Sequence, residues 1–543
     1  MKHLRKLSFV LAAAMAFSAL LISCNGQTGS TGSTSSQGTS SASSQAQEDD
    51  GLPAAGDFSE KLSICWYMCT DATAYKEGNP VAKELNEKFN VEMSTIAVNG
   101  FDNDKMNVTL ASGTIPDVMI RWGTQQYYDD GIIQSVTKDM IAEYMPQTYK
   151  IMEGYGDGIW VNTVSSSDGE IMGVPQFSIN GDMVHTAVIR EDWLAATGLS
   201  MPKTIDDLTE VLRAFTFNDP DGNGKNDTYG LTIPGLHNNL LYAACPMIFG
   251  AYGVIPTYWT LDRDGEVSYG AVQEGYKEAL KQLAAWYKEG LIDPEWVTMD
   301  NAAYQNKITN GLIGVWGYAN PAYMNYSSPT SIPSLTIANN PNAKWHYMEP
   351  LTGPGGYAGG SSDGPAGSWT MSFGAKASKE QIARAMQIAE ALNTNMDLYE
   401  LTYFGVEGTT FIRNEDGSDA QITGIVPAEY GCQVFRTAST LTWDAVSLSY
   451  PKNVVSLMKE STSYPFIRNV VSTGAISGTY DTMDVDSAEM TKLTSEFFFN
   501  AITGTIDIDA EWDGYVQRWM DLGGKVQTEG ARTLPIIYTN KNK

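Results

Sequence analysis

The stretch Asp219-Pro220-Asp221-Gly222-Asn223-Gly224-Lys225-Asn226-Asp227 carries the sharpest chemical pattern in the chain. Oxygen-bearing side chains stand at loop positions 1, 3, 5 and 9, with Gly224 at position 6 and the Lys225 carbonyl at position 7. Alternate side chains of such a loop point inward and glycine permits its turn, which is how an EF-hand loop holds Ca²⁺. The bidentate acid of position 12 is missing, because that residue is Gly230; Thr228 or water is left to complete the shell. Three acids this close repel one another without a cation. The sequence therefore predicts a structural Ca²⁺ held by Asp219, Asp221, Asn223, Lys225 and Asp227, with a filled oxygen shell and no open position for chemistry. A metal-free Asx- and Gly-rich surface turn is the competing reading.

Catalytic spacings are not evident. His3, His185, His237 and His346 fall in no triad setting, and neither H-E-x-x-H nor a P-loop occurs. Gly360-Ser361-Ser362-Asp363-Gly364 matches G-x-S-x-G by letter, but it lies in a Gly/Ser-rich stretch without the strand and helix of a nucleophile elbow. No stretch singles out the facing carboxylate pair of a glycosidase. The expectation is a protein that is not an enzyme. Cys65, Cys69, Cys245 and Cys432 read as buried thiols without a disulfide framework.

These residues need elements to position them. A strand is expected at Lys61–Tyr67, a helix at Pro80–Phe89, a strand at Val91–Val98, a helix at Asn103–Ala111 and a strand at Val118–Ile120. Such alternation marks an α/β lobe with a largely parallel sheet. Further strands are expected at Glu170–Pro175 and Val184–Arg190. Thr204 is placed to cap a helix running through Phe215. Other helices are expected at Gly275–Gly290, Lys379–Asn393 and Trp512–Leu522. The folded body is too long for one ordinary core, so two lobes are expected.

The N-terminus supplies an address. Basic residues Lys2, Arg5 and Lys6 precede an apolar run, Leu7 to Ile22, of about 16 residues, short of the roughly 20 that span a bilayer core. Leu21-Ile22-Ser23-Cys24 resembles a lipobox, in which the Cys thiol is acylated and becomes residue one; a plain signal peptide cut near Ser23 is the alternative. The Ser, Thr, Gly and Gln stretch up to Asp50 has no core-forming residue and reads as a flexible tether. Residues 1–23 are thus expected to be the signal and 24–56 the acylated Cys24 with its linker. The formal charge is −28, and cleavage would remove three cations to leave about −31, which argues against nucleic acid as a partner.

Several segments, taken in order, resemble one family. Gly113-Thr-Ile-Pro-Asp117-Val is similar to the S-G-D-I-P-D-V element of extracellular solute-binding proteins that serve ABC importers. Arg190-Glu-Asp-Trp193-Leu, Pro202-Lys-Thr204, the Asp219–Asp227 loop, Tyr287-Lys-Glu-Gly290-Leu-Ile-Asp293-Pro294-Glu295, Gly405-Val-Glu407-Gly408 and Trp512-Asp513-Gly-Tyr515 follow in the order of its large lipoprotein subgroup. The chain resembles Gram-positive sugar-binding lipoproteins and alginate oligosaccharide-binding proteins. The latter carry a structural calcium in this loop, with a Glu where this chain has Thr228. The resemblance implies a type II periplasmic-binding-protein-like α/β fold of two lobes, with a ligand cleft between them that closes by hinge bending. It implies residues 57–178 plus 349–412 as lobe 1 and 179–348 plus 413–543 as lobe 2. It further implies a monomer, lipid-anchored on the extracytoplasmic face of the cell membrane, that captures an oligosaccharide and passes it to ABC permease subunits. A peptide or other polar solute is the alternative cargo, and an extracellular glycosidase a weaker one.

Sugars present polar edges and apolar C–H faces, so such a cleft needs flat aromatic platforms ringed by carboxylates and amides. Aromatics just past strand ends are the candidates. On that ground Trp122, Trp259, Trp316 and Trp369 are expected to line the ligand, followed by Trp66, Tyr318 and Asp71. Trp193, Trp286, Trp296, Trp512 and Trp519 sit in helical patterns and are expected in the core.

Overall fold

The computed structural model describes residues 53–234, 245–415, 417–422, 424–480 and 482–537, within one compact unit, Leu52–Lys543. Cys24, its signal and most of the expected linker lie outside the described residues, as does His237. No described helix is long and apolar enough to cross a membrane.

Two sheets organise the unit. In the first the strand order is Val91–Ser94, Leu62–Met68, Val118–Arg121, Ala366–Gly374, Ile133–Gln134, with Val174–Phe177 also paired to Ala366–Gly374. Leu62–Met68 runs parallel to both of its neighbours, through the βαβ units that the sequence predicts. Ala366–Gly374 enters antiparallel to Val118–Arg121, Ile133–Gln134 and Val174–Phe177 because it returns from elsewhere in the chain. The sheet is therefore mixed rather than largely parallel. Val118–Arg121 is buried along its length, as expected of a strand covered on both faces. The second sheet has the order Trp345–Tyr347, Thr186–Arg190, Ile313–Ala319, Tyr229–Thr232.

Each sheet has its own core. The first gathers residues from Ile64 to Phe177 and from Met371 to Leu441; the second runs from Ala187 to Leu351 and takes in Ile467 and Phe497 to Tyr515. The expected lobe limits shift accordingly. Leu351, expected in lobe 1, packs in the second core, and Ala428, Cys432, Val434, Phe435 and Leu441, expected in lobe 2, pack in the first. Backbone proximity explains the first shift. A Cβ on Gly353 would lie 1.7 Å from the Ala251 carbonyl oxygen, so the Gly-rich stretch beds against the second lobe where no side chain fits.

The segments behind the family resemblance turn out to be scaffolding. Asp117 accepts from the Cys65 backbone N–H at 2.7 Å, and its backbone carbonyl accepts from Gly374, so Ile115-Pro116-Asp117 ties three strands together. Arg190, fully buried, forks onto Asp192 at 2.8 and 2.6 Å and stacks 4.5 Å from the Trp193 ring. Thr204 closes a capping box with Asp207 at the head of helix Ile205–Phe217. Thr204→Ala is expected to lower stability by about 1 kcal/mol, read as an earlier urea midpoint at constant slope. The described cysteines are free, with Cys65 half-buried and the rest buried; burial pushes the Cys65 and Cys432 thiols up to about 11.

Candidate functional site

The chain passes between the two cores at Phe177 to Thr186, Leu351 to Ala366 and Leu441 to Phe466, and these passages are stitched together. His185 pairs with Ser361, Ser178 with Thr440, and Gly360–Ser361 with Phe466–Ile467. A cavity of about 390 Å³ opens beside them. Its first-lobe wall is Gly158, Val161, Asn162, Ala366 and Trp369; Asp363 and the run Arg468 to Thr473 form the other wall. A second, more apolar cavity of about 460 Å³ shares Val161, Ser472 and Ile537 with it. Such a recess between lobes is where a small ligand loses most of its surface to protein.

The aromatic wall is a cluster. Trp369, half-buried in strand Ala366–Gly374, meets Trp122 edge to face at 5.0 Å. Trp122 in turn stacks on Phe101, 60% exposed, at 6.3 Å. Arg121, buried behind Trp122, lies 5.6 Å from that ring and 5.2 Å from Tyr127, and donates to Asn103 at 2.9 Å. A guanidinium sandwiched this way holds the indole in place.

The polar wall faces it. Asp363 is exposed and accepts from the Tyr258 hydroxyl at 3.1 Å. Burial beside this carboxylate pushes the Tyr258 phenol well up. Arg468 donates to Asp182 at 2.8 Å and to Ser362 at 2.9 Å, with its guanidinium 4.0 Å from the Phe466 ring. Asn469 accepts from the Trp259 backbone N–H at 2.8 Å, and Ser472 donates to Asn162 at 2.8 Å, a hydrogen bond from one wall to the other. Behind Asp363, His185 lies 3.4 Å from the Tyr318 hydroxyl, and burial lowers its pKa.

Of the expected platforms, Trp369 lines this cavity, and Trp122 packs against it edge to face without lining the cavity itself. Trp316 and Tyr318 line a separate recess of about 400 Å³ in the second lobe, where Trp316 stacks on Tyr323 at 5.5 Å and is 4% exposed. Trp259 is packed among Tyr269 and Trp519 and meets the site only through its backbone. Trp66 is wholly buried, its indole N–H donating to the Arg436 carbonyl at 3.2 Å, so it is a core residue and not a platform. Asp71 is exposed but spent on a turn, where it accepts from the Thr73 hydroxyl and backbone N–H; these bonds lower its pKa. Asp363, Arg468, Asn469 and Asn162 line the cavity without having been expected there. The Gly/Ser-rich run around Asp363 was the available signal, because it marks a passage between lobes.

Other polar clusters lie apart from the cavity. Ser362 is buried, its hydroxyl between Arg468 and the Gly181 carbonyl, a setting unlike a nucleophile elbow. Glu400 and Asp419 meet around Arg413, and burial with the neighbouring Glu400 raises Asp419 to about 7. Neither residue lines the cavity.

In the Asp219–Asp227 loop, Asp219 accepts from the Asn223 and Gly224 N–H groups at 3.0 and 2.9 Å. The Asn223 amide donates to Asp221 at 2.8 Å and to Asp227 at 3.1 Å. Burial and then the neighbouring carboxylates raise the Asp221 pKa. Thr228, considered as an oxygen ligand, is buried and donates to the Phe215 carbonyl at 2.8 Å instead. Among the described residues, no three His, Cys, Asp or Glu side chains gather as a metal-holding group. The donor set is nonetheless all hard oxygen, with the Asn223 side-chain oxygen accepting from the Lys225 N–H at 2.7 Å.

This geometry can be set beside known proteins. The lipoprotein LipO of Bacillus subtilis is 35% identical over 222 residues, 39% of this chain and 41% of LipO. The fructooligosaccharide ABC transporter substrate-binding protein FusA of Streptococcus pneumoniae is 28% identical over 273 residues, 47% of this chain and 50% of FusA. The chain thus spans half or less of these two curated relatives. A FusA EF-hand mutant solved with fructo-nystose shares the fold at TM-score 0.60, 19% identity, covering 87% of this chain and 98% of that one. The alginate-binding protein AlgQ2, solved without calcium ion, does so at TM-score 0.61 and 20% identity, covering 89% and 99%. The fold is that of the type II periplasmic solute-binding proteins. The family described as bacterial extracellular solute-binding protein matches residues 74–395, more than half of the sequence, and the chain belongs to that family.

Proposed function

We propose that this chain captures an oligosaccharide in the cavity between its lobes and delivers it to the permease of an ABC importer. One observation carries the reading. Trp369, braced by Trp122, shares a recess bounded by both lobes with Asn162 on its own wall and Asp363, Arg468 and Asn469 on the other, which is the arrangement a sugar needs for stacking on its C–H face and hydrogen bonding at its edge. Closing the lobes over a bound glycan adds contacts from the second wall, and those contacts stabilise the closed state. Among the described residues lining the cavity Asp363 is the one carboxylate, which suits binding over hydrolysis by a facing pair. The relatives' names, a fructooligosaccharide-binding and an alginate-binding protein among them, support a glycan.

The chain works as a monomer, acylated at Cys24 and tethered to the extracytoplasmic face of the membrane, where the anchor raises its effective concentration at the permease. Scanning fluorimetry against glycan and peptide panels tests the cargo: glycans should raise the melting temperature, and stabilisation by peptides alone would sink the reading.

The Asp219–Asp227 loop holds a structural Ca²⁺ through Asp219, Asp221, Asn223, the Lys225 carbonyl and Asp227. When bound, the ion neutralises the loop's carboxylates. Chelation at pH 7 is expected to lower stability by about 2–3 kcal/mol at calcium near 100 times its Kd. The raised Asp221 pKa sets the pH dependence. Without metal, its ionisation costs folded-state stability as pH rises through the carboxylate range, and bound calcium offsets that cost. The chelator effect should therefore shrink toward pH 4. An unchanged melting curve at pH 7 on adding chelator counts against the site.

A further inference from the structure

Resting on the glycan reading above, the charge distribution of the cleft narrows the cargo. We propose that the cleft selects uncharged glycans over uronic-acid glycans, with Asp363 as the discriminating group.

The cations beside the cavity are paired or closed off from a ligand. Arg468 lines it, but its guanidinium is engaged by Asp182 and Ser362 and lies against Phe466. Lys138, at the adjoining cavity, stands 3.5 Å from Glu153 and 4.6 Å from the Trp160 ring. Arg121 is 2% exposed and lies behind Trp122, outside the lining of either cavity. Asp363 differs from all three: it is exposed, lines the cavity, and among the described residues accepts its side-chain hydrogen bond from the neutral Tyr258 hydroxyl.

Arg468 and its partner Asp182 cancel, so Asp363 leaves the cavity lining with one net negative charge, while Arg121 stays sealed behind Trp122. A carboxylate of this kind accepts hydrogen bonds from a vicinal pair of sugar hydroxyls, and these are strong because the acceptor is charged. It repels a sugar carboxylate, and the repulsion grows as lobe closure excludes water. Asn162 and Asn469 complete a lining suited to neutral hydroxyls, while a uronate would find no unclaimed cation among the described lining residues. The chain's formal charge of −28 adds a long-range field of the same sign.

The test is calorimetric titration of the intact mature protein with neutral oligosaccharides (fructan, mannan and galactan series) and with length-matched oligogalacturonate and oligomannuronate at pH 7. At least one neutral series should bind, with uronates at least tenfold weaker. Raising salt from about 0.02 to about 0.5 M should narrow that gap in the unaltered protein, because screening relieves the repulsion. Asp363→Asn should weaken neutral binding at least tenfold and bring uronate binding up toward it. Uronates binding as tightly as neutral sugars, or a gap that ignores salt, overturns the selectivity while leaving a glycan receptor. An Asp363→Asn protein that keeps the full discrimination overturns the role of Asp363. If neither sugar class binds and peptides do, the glycan reading falls and the selectivity with it.

Discussion

Trp66→Ala is expected to cost about 3–5 kcal/mol of stability while leaving the glycan affinity of the protein that remains folded within a factor of about two. Sequence logic places Trp66 at the end of a strand, where a sugar platform belongs. The structure places it one position further in. Leu62–Met68 extends past it, Trp66 pairs in register with Val118, and no part of the side chain is exposed. Its ring packs with the first-lobe core, and its indole N–H holds the carbonyl of Arg436. That bond secures a segment, Ala428 to Leu441, that returns to the first lobe after the hairpin of Phe411–Arg413 and Asp419–Gln421. Truncation opens a large cavity in a close-packed interior and leaves a buried carbonyl without its donor, two costs that add. Denaturant titration reads the stability and calorimetry the affinity. A binding platform would give the opposite pair of results, with affinity lost and stability nearly kept.

The same residue shows what a sequence yields and where it stops. Elements governed by local rules were legible: helix Pro80–Phe89 begins and ends where its Pro and Phe predict, and Thr204 caps Ile205–Phe217. The ordered segments that revealed the family were legible too, because Asp117, Arg190 and Asp192 serve turns, caps and strand junctions whose geometry restricts residue type. They identify the scaffold and say little of the cargo. The cleft wall is built differently. Asp363 sits in a Gly/Ser-rich passage, Arg468 and Asn469 follow a two-residue strand, and Asn162 follows a single 3₁₀ turn. Only the crossings between lobes bring these positions together, and no spacing along the chain encodes that. Aromatic richness gave a poor address, since Trp259 opens strand Trp259–Leu261 and Trp316 stands inside Ile313–Ala319, and they pack at 6% and 4% exposure.

Trp369→Ala should weaken glycan binding by about 2–4 kcal/mol, roughly 30- to 1,000-fold in Kd, with little loss of stability. Trp369 is half-buried, so the fold uses only part of its surface. One edge is fixed by Trp122 at 5.0 Å, and Trp122 is held from behind by Arg121 and flanked by Phe101. An indole locked before the ligand arrives loses little conformational entropy on binding, which is what makes a central aromatic dominate an interface. Trp369 also stands in the strand that leaves the inter-lobe passage, so a glycan stacked on it lies within the recess bounded by Asp363 and Arg468. The loss should therefore exceed the value of the stacking contact, because an unsupported sugar cannot draw the second wall closed. Trp122→Ala should follow with a smaller deficit, acting through the ring it positions. Trp316→Ala should leave affinity within about threefold, since its recess shares no lining residue with the cleft. Calorimetry on the three variants, each checked by circular dichroism, decides the ranking. Glycan affinity that survives Trp369→Ala and fails in Trp316→Ala would move the site into the second lobe.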